Sequence, residues 1–86
     1  MNREPLTHDE LETLAGLLRR RVEIIRDTEW RDRDPAGHLE GLKTVSESIM
    51  AQHEALKGRL PPRLEHFFSN CSYGKALDFI ENELIS

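Results

Sequence analysis

The sequence predicts an all-α fold, a long antiparallel helical hairpin followed by two short C-terminal helices. Three observations predict it. Apolar residues recur at helical spacing from Leu11 to Leu60, the run is punctuated at Asp32-Arg33-Asp34-Pro35 and again at Pro61-Pro62, and the texture changes after the second break. The 86 residues suit a single domain spanning 1–86.

The first helix is expected over 7–33. Thr7 is placed to cap it, Glu10 to reach back three residues later, and Leu6 to staple onto Leu11. Leu11, Leu14, Leu17, Leu18, Val22, Ile24, Ile25 and Trp30 then follow with no proline and only Gly16 between them, which gives a rod about 40 Å long. The second helix is expected over 35–60. The residue before a proline leaves helical geometry and proline suits the first turn, so Asp34 is the expected cap. Leu39, Leu42, Val45, Ile49, Met50, Leu56 and Leu60 carry the period to Pro61-Pro62.

Beyond that corner, 62–69 and 73–84 read as short helices. Leu64, Phe67 and Phe68 make a brief stripe before Ser69-Asn70-Cys71-Ser72, and Ser72 is placed to cap the last helix, where Tyr73, Ala76, Leu77, Phe79, Ile80 and Leu84 crowd one side. The pair is expected to fold as a foot across the open end of the hairpin.

So short a foot leaves apolar surface on the hairpin, and the sequence predicts that a second copy covers it in a homodimeric helical bundle. The interface candidates are Leu14, Leu18 and Ile25 on the first helix and Leu42, Ile49 and Leu56 on the second. The competing arrangement is a monomer whose foot folds back along the hairpin.

Composition narrows the function. A net charge of −4 argues against a general polyanion binder, which needs a surplus of Lys and Arg on one face. Arg19-Arg20-Arg21, with Arg26, Arg31 and Arg33, is the basic concentration. Three consecutive helical residues fan over about 200°, and Glu23, Asp27 and Glu29 stand four residues from Arg19, Arg31 and Arg33, so an ion-paired surface is favoured over nucleic-acid contact. One cysteine, Cys71, suits a reducing compartment, and no apolar signal core follows Met1-Asn2-Arg3-Glu4-Pro5, so a cytoplasmic protein without a membrane span is expected. The sequon Asn70-Cys71-Ser72 carries no weight without secretion.

Histidine chemistry is the alternative. No two of His8, His38, His53 and His66 stand three or four residues apart, so no helical pair of imidazoles is available to a metal, and only His8 with Glu12 and Asp34 with His38 are suitably spaced. His53 lies near the seam of the second helix. His53-Glu54-Ala55-Leu56-Lys57-Gly58 resembles the His-x-x-Lys-Gly motif of histidine phosphotransfer domains, with Lys and Gly one residue late, a step that turns the lysine about 100° away from the imidazole. Cys71 reads as a small core residue rather than a reactive thiol. Trp30 reads as half-buried against Leu39 or, with Arg31 and Arg33, as a partner contact at the tip. With no signature of a metal, cofactor or catalytic motif, the sequence predicts a non-enzymatic interaction or regulatory module that binds itself and an unidentified protein.

Overall fold

The computed structural model describes residues 5–85; Met1 to Glu4, on which the reading of a missing leader partly rests, lie outside them. Every regular element among the described residues is helical: α1 (His8–Arg26), α2 (Thr28–Arg33), α3 (Pro35–Ala55), α4 (Pro62–Ser69), α5 (Tyr73–Phe79) and a π-helical turn, Ile80–Leu84.

Local chemistry sets the helix starts. The Thr7 hydroxyl accepts from the Glu10 amide at 3.1 Å while Glu10 Oε1 accepts from the Thr7 amide at 2.9 Å, a closed capping box. The expected helix over 7–33 is nevertheless two helices. Asp27 leaves helical geometry and its carboxylate accepts the Trp30 amide at 3.1 Å, which starts α2. A short carboxylate offers the backbone an alternative partner, and Asp27-Thr28-Glu29 is itself a start signal inside the apolar period. Asp34 caps α3 through the Gly37 amide at 3.0 Å, with Pro35 at the first position. The expected extent of 35–60 also shortens. α3 ends at Ala55, and Gly58 takes a left-handed φ of 86°, a conformation that glycine adopts without steric cost. Leu56 still points inward, so the apolar spacing outlasts the helix.

α1 and α3 run antiparallel, and the far end of the pair is tied by Arg59, which donates to both carboxylate oxygens of Glu10 at 2.7 Å each. That bidentate bond and the Thr7 amide hold the Glu10 carboxyl down at about 2. The foot does not lie across the open end. α5 and the π turn lie along α1, α4 packs on α5, and Arg19 Nη2 reaches Glu81 at 2.9 Å. Tyr73 carries the Arg21 guanidinium over its ring at 4.9 Å, and burial, with Cys71 beside it, pushes its phenol up. Ser72 sits at the cap position of α5 but its side chain makes no capping bond.

The core is therefore intramolecular. Leu14, Leu18, Ile49, Leu64 and Ile80 are fully enclosed, with Leu11, Ala15, Ile24, Val45, Leu56, Phe68, Ala76 and Leu77 around them. Each large aliphatic so enclosed contributes about 1.5–3 kcal/mol, which explains why the foot follows α1. Four of the six residues expected to face a second copy, Leu14, Leu18, Ile49 and Leu56, are thus filled by the chain's own helices. Leu42 is partly buried against the same core, and Ile25 stays 43% exposed. The molecule measures 49 × 24 × 22 Å.

Candidate functional site

α3 is the helix with a bare side. It rests on α1 and α2 and reaches the foot through His53, leaving Leu39 66% and Met50 60% exposed. These two stand eleven residues apart, three helical turns plus about 20°, so they share one stripe with Lys43 and Ser46 between them. His38 fixes how that stripe is oriented. The ring is buried and its Nε2 lies 2.6 Å from the Ile24 carbonyl oxygen, so Ile24 and His38 face one another across the hairpin. One further step of about 100° along two antiparallel helices turns Ile25 and Leu39 to the same side. Ile25, Leu39 and Met50 therefore belong to a single surface, with Lys43 and Glu47 exposed beside it.

The opposite side of α3 is lined by small residues. Trp30 lies there and not on Leu39: its ring stacks edge-on to His38 at 5.4 Å, and a Cβ on Gly41 would come within 2.6 Å of its Cη2. Glycine at 41 is what lets the indole close against the helix. Beside it opens a cleft of about 490 Å³, large enough for a small ligand. The polar groups there do not converge, since Thr44 and Ser48 donate to the carbonyls of Glu40 and Thr44 in their own helix. At the tip Arg31 lies 3.9 Å from Asp32, and Arg31 and Arg33 are both exposed.

His53 is a fastener between α3 and α4. Its Nε2 is 2.8 Å from Glu65 Oε1, its ring stacks on Phe68 at 5.3 Å, and the Ser69 hydroxyl donates to the same carboxylate oxygen at 3.1 Å. The bond from His53 holds the Glu65 carboxyl below the usual carboxylate range. The Asp34–His38 pairing does not form between side chains, whereas His8 lies 3.7 Å from Glu12. Among the described residues no group of three or more His, Cys, Asp or Glu side chains is placed to hold a metal ion, and no helix is long and apolar enough to cross a membrane.

The arginines of the run find partners within the chain while staying largely at the surface. Arg19 bonds Glu81 rather than Glu23, Arg20 pairs with Glu23 at 3.3 Å, and Arg21 covers Tyr73. Cys71 is exposed, not a core residue, because its left-handed backbone (φ 55°) at the turn after α4 carries the thiol outward. Neither Glu65 as the partner of His53 nor Arg59 as the partner of Glu10 is legible in the sequence, since neither contact leaves a spacing signature across 12 and 49 residues. Comparison with family models, with curated proteins and with solved structures found no match.

Proposed function

We propose that this chain is a non-enzymatic protein–protein interaction module whose binding surface is the bare side of α3. The observation that carries this reading is the distribution of open apolar side chains. Among the described residues the exposed large hydrophobics are Ile25, Leu39 and Met50, all on the hairpin and on one side of it. Composition supports it. α3 carries four charged side chains in 21 residues, Glu40, Lys43, Glu47 and Glu54, against eight in the 19 of α1. A helix so weakly divided into polar and apolar halves is suited to burial on more than one side.

What favours this reading over histidine-centred phosphotransfer or metal binding is the engagement of His53 by Glu65 and Phe68. What favours it over nucleic-acid binding is the partnering of Arg19, Arg20 and Arg21 within the chain. The free, exposed thiol of Cys71 suits a reducing cytoplasm.

Photo-crosslinking in the native cell tests the module. A photoreactive residue at 39 or 50 gives discrete protein adducts, and one at the exposed Glu12 gives none. Absence of protein adducts from both 39 and 50 overturns the reading.

A further inference from the structure

The geometry points to a second copy of this chain as the occupant of that surface, with α3 packed antiparallel against α3 of its partner about a twofold axis. This rests on the interaction-module reading and names its partner. The stripe is self-complementary about its middle. Leu39 and Met50 are placed symmetrically around the point between Thr44 and Val45, so an antiparallel copy sets each Leu39 against Met50 of the other chain.

The charges are centred on Val45, half a residue from that point and within reach of the same twofold. Lys43 and Glu47 flank the axis on opposite sides and are both exposed, so each lysine meets the glutamate of the other chain, and the contact occurs twice. A parallel arrangement would instead set Lys43 against Lys43 and Glu47 against Glu47. Ile25, on the same side of the hairpin as Leu39, extends the apolar contact toward the partner's Met50. A twofold contact needs one patch that complements itself, and this stripe does so in both apolar and ionic terms. The arrangement retains the expected homodimer but moves its seam from Leu14, Leu18, Ile49 and Leu56, which the chain buries by itself, to Leu39 and Met50.

The test uses charge reversal read by sedimentation equilibrium of the intact chain. Wild type is expected to reach twice the 10.0 kDa chain mass as concentration rises. Lys43→Glu alone and Glu47→Lys alone each place like charges across the axis twice, and each weakens association about tenfold or more. An equimolar mixture of these two variants places opposite charges there twice, so mixed dimers form at concentrations where neither variant associates alone. Circular dichroism of each dilute variant confirms that the helices are intact, and Leu39→Asp with Met50→Asp abolishes association through the apolar part of the same stripe. A wild type that keeps the mass of one chain up to millimolar concentration overturns the proposal, as does a mixture no tighter than its components. If the crosslinker at 39 meanwhile captures a different protein, the twofold falls and the interaction module stands; if neither 39 nor 50 captures any protein, both fall.

Discussion

α1 and α3 are nearly equal in length, 19 and 21 residues, yet they occupy opposite positions in the molecule. α1 is held on two sides, by α3 and by α5 with the π turn, and Arg59 fastens its start. α3 is held by α1, by Trp30 of α2 and, through His53, by α4, yet keeps one shoulder bare at Leu39 and Met50. The more highly charged helix is thus the more enclosed one, because its charges are spent on partners in the foot: Arg19 on Glu81 and Arg21 on the face of Tyr73. The charge-poor helix is left facing outward. The difference teaches that the amount of polar surface on a helix does not decide which side the chain covers; the position of the connecting turns does.

Truncation gives the largest effect and tests the contrast directly. Leu14→Ala removes a fully enclosed side chain from α1 and is expected to cost about 2–5 kcal/mol in chemical denaturation. Leu39→Ala, on α3, is expected to change the stability of the dilute single chain by about 0.5 kcal/mol or less. Equal costs would mean that Leu39 is enclosed within the single chain and that this shoulder of α3 is not bare.

A smaller effect is expected on the other side of α3. Gly41→Val forces the indole of Trp30 off the helix, costing about 1–3 kcal/mol and shifting tryptophan emission to longer wavelength. Unchanged emission would remove Trp30 from that surface.

The smallest effect concerns the fastening of α1 to the turn after α3. The Glu10 carboxyl titrates at about 2 when folded, against the ordinary 4.5, so the unfolded chain takes up the proton first as acid is added. Its stabilisation is fully present above about 4.5 and is lost as pH falls toward 2. Glu65, shifted in the same direction by His53, adds to the same acid limb. Thermal melts of Glu10→Gln are expected to fall less steeply with acid than those of wild type, and a parallel decline would refute the linkage.

The parts of the fold legible in the sequence were those written in neighbouring residues. Thr7 with Glu10, and Asp34 with Pro35, announce helix starts because cap and amide lie within three positions. The start at Asp27 is written in the same code but sits inside an unbroken apolar period, and spacing outweighed it. Spacing also ran past Ala55, since Leu56 is buried from a turn as readily as from a helix. For the site the limit is different. Periodicity identifies Leu14, Leu18, Ile49 and Leu56 as residues that need covering, but it carries no information on whether the foot or another molecule covers them. That depends on the direction the chain takes after Pro61-Pro62, which is set by contacts such as His53 with Glu65, twelve residues apart.

The π turn gives the segment after α5 an unusual tolerance. The Ile85 amide donates to the Ile80 carbonyl at 3.0 Å, five residues back, so this turn holds one residue more than an α-helical one. In an α-helix Ile85 would stand about 140° round from Ile80 and face away from α1; the wider loop brings Leu84 and Ile85 both toward the interior. The last stretch is a stopper cut one residue long and seated by slackening its final coil. Losing a single codon there would tighten the coil to ordinary α-helical spacing and set Ile85 about 40° from Ile80, still turned toward α1, while leaving every upstream contact in register.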